Sequence, residues 1–95
     1  MKSKEQYIEK LSAELKVYSA QIDELTVKAD NAAEDLKLEY HKEIDFLRAK
    51  QRTAAEQIQE LESSSGDAWE SVKETAEQIW DDLRKGVDNV VSKFK

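Results

Sequence analysis

His41 is the only histidine of the chain and the first candidate for a metal ligand or a catalytic base. Di-iron helical bundles place a glutamate three residues before each ligating histidine, but Leu38 occupies that position here. Lys37 and Asp45 lie about one helical turn away on either side of His41, which favours a solvated side chain. The sequence therefore predicts no metal site and no catalytic histidine.

Carboxylates are the other candidates for chemistry, because the chain has 21 acidic residues, some of them in pairs such as Glu34-Asp35 and Asp81-Asp82. Glycosidase-type catalysis needs two carboxyl groups held across a cleft in different environments. Here the acidic residues are spread along the polar faces of predicted helices, which favours a solvated surface. Two scattered glycines also exclude a Gly-rich phosphate loop. We therefore predict that the protein is not an enzyme and uses no cofactor.

The charge and the hydropathy of the chain limit the kinds of partner and the cellular compartment that we expect. The net charge is −6, the isoelectric point is near 4.8 and the mean hydropathy is −0.80, so the basic surface that a nucleic-acid-binding protein needs is missing. No apolar run follows the charged first ten residues, and no stretch approaches the roughly 18 apolar residues of a membrane span. We expect a cytoplasmic protein that binds no nucleic acid and for which a membrane partner is not favoured.

The elements that would position these residues are helices, since the chain lacks proline and has glycine only at positions 66 and 86. From Ile8 the large apolar residues recur at alternating spacings of three and four, the pattern of a left-handed coiled coil. The spacing slips at Leu36, Tyr40 and Ile44, which indicates a local unwinding of the supercoil. The pattern predicts one helix over residues ~3–62, about 90 Å long. We call its apolar edge the seam, and its residues are Ile8, Leu11, Leu15, Tyr18, Ile22, Leu25, Ala29 and Ala32.

One turn signal follows, in the segment from Ser63 to Gly66. Serine competes with helical hydrogen bonds and glycine can end a helix. Asp67 with Glu70 matches a capping box for a second helix over residues ~67–95, with Ser65 as a rival N-cap. The apolar residues of the second helix repeat every eleven positions and form one stripe. The alternative is a single helix that continues through this segment.

Together these patterns predict an all-α fold, a long antiparallel helical hairpin that forms a coiled coil. The second helix, about 43 Å long, covers only half of the first, so six large seam residues lack a partner. Full burial of each contributes roughly 1.5–3 kcal/mol, and we therefore predict a homo-oligomeric bundle. The simplest form is a homodimer with antiparallel first helices and a dyad near Ala29 and Ala32, while a parallel dimer and a four-chain bundle remain open. Val17, Val27 and Leu38 lie off the seam, either as ordinary exposed residues or as another contact surface. The predicted hairpin contacts are Leu47, Ile58, Leu61, Trp69, Val72, Ile79, Trp80, Leu83, Val90 and Phe94.

Trp69 and Trp80 lie on one face of the second helix, eleven residues apart. Their simplest role is core packing against the first helix. The alternative is a peripheral protein that inserts this face into a lipid or granule surface, because tryptophan favours the membrane interface. Acidic residues dominate the opposite face of the helix, which disfavours binding to anionic membranes.

The two ends of the chain carry a family resemblance. The markers are Tyr7-Ile8, Ile22-Asp23, Ala68-Trp69, Trp80 and the terminal Ser92-Lys93-Phe94, within the segments MKSKEQYIEKLSAEL, QIDELTVKAD, AWESVKETAEQIWDDL and VSKF. They resemble small bacterial coiled-coil proteins of uncharacterised function, and the resemblance covers essentially the whole chain. It implies a stress-associated role with no catalytic residues. The predicted function is a structural or interaction protein that binds itself or another protein.

Overall fold

The computed structural model describes residues 4–94 and contains three α-helices in that range. They are α1 (Lys4–Asp30), α2 (Glu34–Ser63) and α3 (Asp67–Lys93). The helices pack side by side in a bundle that measures 52 × 17 × 17 Å. No strand occurs among the described residues, which confirms the predicted all-α class. The predicted helix ends at residues 3 and 95 lie outside the described residues.

The structure corrects the prediction of one helix over residues ~3–62, because the chain leaves the helical conformation at residues 31–33. The Asn31 N–H still donates to the carbonyl of Val27 at 3.2 Å. Ala33 then has an extended backbone, with φ −60° and ψ 148°, and α2 begins at the next residue. Two acidic residues open α2, where the positive end of the helix dipole favours them. The slip in spacing at Leu36 therefore follows a break between two helices.

Because of this break, α1 folds back on α2 and the two helices are antiparallel. At one end the Lys4 ammonium donates to the Glu62 carbonyl at 2.9 Å. At the other end His41 Nε2 lies 2.9 Å from Asp30 Oδ1. Helix α3 packs against both, so the predicted two-helix hairpin is replaced by a bundle of three helices from one chain.

All three helices contribute to one hydrophobic core. The seam residues Leu11, Ile22, Leu25 and Ala29 are buried, and Ile8, Leu15 and Tyr18 pack against the same core. The single chain therefore covers the seam itself, so the uncovered surface that required a second copy does not exist in this fold. Self-association stays a prediction that needs a different physical basis. The buried apolar residues are Leu11, Ile22, Leu25, Ala29, Ile44, Leu47, Ala54, Leu61, Ala76, Trp80, Leu83, Val87 and Val90.

The second connection lies at residues 64–66, between α2 and α3. The Ser64 N–H donates to the Glu60 carbonyl at 3.0 Å, and Gly66 follows with φ +60°. Gly66 is the N-cap of α3 and Asp67 is already helical, without a side-chain hydrogen bond that caps the helix. The capping box expected at Asp67 is therefore not formed, and the alternative of one continuous helix does not hold.

Candidate interaction surfaces

His41 contacts a carboxylate that the sequence spacing did not indicate. Its Nε2 lies 2.9 Å from Asp30 Oδ1, and the pair joins the end of α1 to the second turn of α2. Within residues 4–94 no group of three or more histidine, cysteine or acidic side chains is arranged to hold a metal ion. The contact therefore serves to hold the two helices together beside their connection.

The paired carboxylates of α3 lie on the surface and form ion pairs. Asp81 contacts Lys85 at 3.0 Å and also Arg84. The hydrogen bond from Lys85 lowers the pKa of the Asp81 carboxyl, and the charges of Lys85 and Arg84 act in the same direction. Asp82 pairs with Lys50 of α2. These contacts place the two carboxyl groups against cations, and they do not face each other across a cleft.

A polar layer fixes the alignment of α1 on α2. Gln51 Nε2 donates to Ser19 Oγ at 2.6 Å. Three residues earlier on α2, Arg48 Nη2 donates to Asp23 Oδ1 at 3.0 Å and lies 3.3 Å from Thr26 Oγ1. The Gln51–Ser19 pair is partly buried and costly to separate, because each group would lose its partner on a shift of register, whereas the exposed Arg48–Asp23 pair contributes little. The layer therefore favours one axial position of α1.

The groove between α1 and α3 contains buried polar groups that lack hydrogen-bond partners among the described residues. Tyr7 and Trp69 pack edge to face with ring centroids 5.8 Å apart, and Trp80 is only 6% exposed. The Tyr7 hydroxyl and Trp80 Nε1 are buried without a hydrogen-bond partner among the described residues. Burial raises the pKa of Tyr7, and the charges of nearby Glu77 and Glu14 add to the effect. Each of these unpaired buried groups lowers the stability of the folded protein, because it loses its hydrogen bonds with water on folding.

The face between α2 and α3 carries one large exposed aromatic side chain. Phe46 is 63% exposed and borders an open groove of about 450 Å³ that Leu47, Gly86 and Val90 line. A methyl group built on Gly86 would lie 3.0 Å from Leu47 Cδ2, so the small residue permits the close approach of the two helices. Phe46 was missed at the sequence level, because its neighbour Leu47 fits the apolar spacing and Phe46 does not.

Several exposed apolar side chains belong to the ends of α1 and α2 that flank the connection between these helices, although Leu36 and Leu38 lie on opposite sides of α2. Leu38 is 68% exposed and Val27 is 59% exposed. Val27 and Leu36 line a shallow groove closed by Tyr40 and Phe94, whose rings lie 4.1 Å apart. Two of the three off-seam residues from the sequence therefore belong to this region.

The residues predicted for the hairpin contacts all lie in the core or against it, although three helices now share them. Trp80 and the stripe of α3 face α1 and α2, so this stripe could meet lipid only if α3 left the bundle. No helix within residues 4–94 combines the length and the apolar character that a membrane crossing needs. No protein-family model, curated protein or solved structure matches the chain.

Proposed function

We propose that the chain is a non-enzymatic helical bundle that associates with a second copy of itself, as a structural or interaction protein. The observation that supports this most directly is the exposure of Leu38, which at 68% is the highest among the exposed large apolar side chains, with residues of opposite charge one helical turn before and after it. Single exposed apolar residues are ordinary on a protein surface, so the proposal depends on the charges around Leu38 as well as on its exposure. The stress-associated role rests on the family resemblance alone and remains part of the proposal.

Leu38 is the natural centre of such a contact. It is the most exposed of these side chains, and it lies in the second turn of α2. In an isologous contact the two copies are related by a two-fold axis, and a residue that lies on this axis meets the same residue of the other copy. Two α2 helices that cross antiparallel at Leu38 would therefore cover both leucines with each other.

The charges around Leu38 are complementary in this arrangement. In an antiparallel crossing, the residue four positions before Leu38 faces the residue four positions after it in the other copy. Glu34 then faces Lys42, and Asp35, three positions before, faces His41. Glu34, Asp35 and Lys42 are exposed. The Glu34–Lys42 pair occurs twice about the axis, which favours the antiparallel orientation over other pairings.

The same reasoning disfavours a symmetric contact centred on Phe46. One turn before Phe46 is Lys42 and one turn after it is Lys50, so an antiparallel crossing there would place lysine opposite lysine. Like charges that face each other across a contact are destabilising. Phe46 is in addition covered in part by the Lys50 ammonium, which lies 4.5 Å from the ring centroid.

Sedimentation velocity over micromolar to millimolar concentrations tests the proposal. We expect reversible association that Leu38→Glu weakens by about tenfold or more, because it removes an apolar contact and places two carboxylates at the axis. Val17→Glu is the matched control, since Val17 is 57% exposed and lies on α1, away from the Leu38 contact on α2.

Charge reversal provides the sharper arm of the same experiment. Glu34→Lys and Lys42→Glu should each weaken association, and the double variant should restore it, because each pair is remade with reversed signs. A protein that stays monomeric throughout the concentration range would refute the proposed self-association. Association that both charge variants leave unchanged would refute the Leu38 surface.

A further inference from the structure

The connection between α1 and α2 contains no residue that requires a turn. It consists of Asn31, Ala32 and Ala33, and none of them has a positive φ. Alanine has the highest helix propensity of all residues. The connection between α2 and α3 is different, since Gly66 there has φ +60°, a conformation that favours glycine. The first connection therefore consists of residues that favour the helical conformation more than those of the second connection do.

The apolar pattern runs through the first connection without interruption. Leu25, Ala29, Ala32 and Leu36 keep the spacing of three and four that marks the seam. Helix α2 also begins without a side-chain cap at Ala33, so its first N–H groups would gain carbonyl partners if α1 continued into α2. Both features favour a state in which residues 31–33 are helical.

We propose that α1 exchanges between two copies of the chain: residues 31–33 become helical, α1 and α2 form one helix, and the α1 segment of each copy packs on α2 and α3 of the other. This deepens the proposed self-association by naming a second route to it, which does not use the Leu38 surface. The contacts of α1 with the rest of the bundle are remade between copies, because an exchanged segment meets the same residues. The Arg48–Asp23 pair and the Tyr7–Trp69 contact are examples.

The register of the closed chain already has the symmetry that this exchange needs. A two-fold axis in the exchanged dimer must pass through the connection, so the contacts between α1 and α2 must be centred there. Three such contacts have midpoints between residues 33 and 36: Lys4–Glu62, Ser19–Gln51 and Asp30–His41. Two long antiparallel helices can therefore preserve the register, with one α3 over each half.

Two substitutions shift the exchange in opposite directions. Ala33→Pro fits the closed chain, because Ala33 has φ −60° and proline fixes φ near that value. Inside a continuous helix the same proline clashes with the preceding turn and removes a hydrogen bond, so the exchanged dimer should become roughly 100-fold weaker for each connection. Asn31→Ala removes the hydrogen bond from Asn31 Nδ2 to the Val27 carbonyl, at 3.1 Å, and raises helix propensity, so it should favour exchange.

Cross-linking distinguishes an exchanged dimer from a surface dimer. The chain has no cysteine, so Asp23→Cys with Arg48→Cys introduces the only thiols, at a pair whose side chains are 3.0 Å apart. The protein is refolded at high concentration, the dimer fraction is isolated, and a short bismaleimide is added. Exchange predicts covalent dimers in a denaturing gel, and the closed chain predicts cross-links within one monomer.

Three further outcomes complete the test. Covalent dimers that Ala33→Pro abolishes and Leu38→Glu leaves intact support the exchange. A dimer fraction that yields only monomer-sized products overturns the exchange and leaves the proposed function standing. Absence of any dimer at all concentrations, for Asn31→Ala as well as for the parent chain, overturns both.

Discussion

Replacing Gly66 by alanine is expected to destabilise the bundle by about 1–3 kcal/mol. Gly66 has φ +60° and ψ −134°, a region in which a Cβ atom is strained. A methyl group built at this position meets no atom within 4 Å. The cost therefore comes from the backbone alone, and neighbouring side chains cannot relieve it by moving.

Gly86→Ala is the matched control, because it adds the same methyl group at a position where the backbone is helical. Gly86 lies inside α3, where alanine is favoured over glycine by roughly 1 kcal/mol. Its new methyl group would lie 3.0 Å from Leu47 Cδ2, and Leu47 is fully buried. The close contact offsets the gain in propensity, so the net change in the free energy of unfolding should stay within about 1 kcal/mol.

Thermal unfolding followed by far-ultraviolet circular dichroism measures both changes. For a domain of this size, 1 kcal/mol shifts Tm by roughly 4–8 °C, so Gly66→Ala should lower Tm by at least about 4 °C. A higher Tm for Gly66→Ala would contradict the strained conformation of Gly66. That result would mean that residues 64–66 are helical, because alanine stabilises a helix interior relative to glycine.

Three other predictions follow from burial. Ile22→Ala should lower the free energy of unfolding in urea by about 2–5 kcal/mol, because Ile22 is fully buried. Val17→Ala, at an exposed position, should change it by less than about 0.5 kcal/mol. Equal effects of the two substitutions would contradict the assignment of the core. Tyr7→Phe should stabilise the bundle by about 1 kcal/mol, since it removes a buried hydroxyl without a partner. The folded state raises the pKa of Tyr7 and therefore holds the phenol proton more tightly than the unfolded chain does. The stability that results is present below pH 10 and is lost as the pH rises through the folded-state pKa. Tyr7→Phe should therefore flatten the alkaline decline in the free energy of unfolding, measured in unfolding titrations. Tryptophan emission should already be blue-shifted and should not change with neutral or anionic vesicles, because Trp80 is buried and Trp69 packs against the core; a further shift with co-flotation would favour the lipid-binding alternative.

The sequence predicted the helical class and the apolar edge of each helix, because both depend on local periodicity; the seam residues Ile22 and Leu25 were assigned to an interface between copies. Ile22 and Leu25 on α1 and Leu83 and Val90 on α3 were placed on apolar edges, and the structure buries all four. A spacing of three and four reports which side of a helix is apolar. It does not report which other helix covers that side.

The break at residues 31–33 was missed for the same reason. Asn31 and the acidic pair Glu34-Asp35 are signals of a helix end and a helix start, but the two alanines between them have high helix propensity and keep the apolar spacing. When α1 folds back on α2, its seam is buried within the chain. The stability gained from this burial outweighs the helix propensity of residues 31–33, so the connection is not helical. The sequence pattern and the fold agree if both states are accessible to the connection.

Contacts between distant side chains were the other feature that the sequence could not supply. His41 was expected beside Lys37 and Asp45, yet its partner is Asp30 from the preceding helix. The exposure of Phe46 and the unpaired groups at Tyr7 and Trp80 depend on how the three helices are rotated about their axes. Helical periodicity of a single segment does not determine that rotation.

Small-angle scattering from the monomer at low concentration measures whether α1 folds back on α2. We expect a particle of monomer mass, 10.9 kDa, whose radius of gyration is close to the 15.4 Å of the Cα atoms. Its longest dimension should be near 52 Å. A monomer with a longest dimension near 90 Å, the length of one helix of about 60 residues, would show that α1 does not fold back on α2 and would contradict the account.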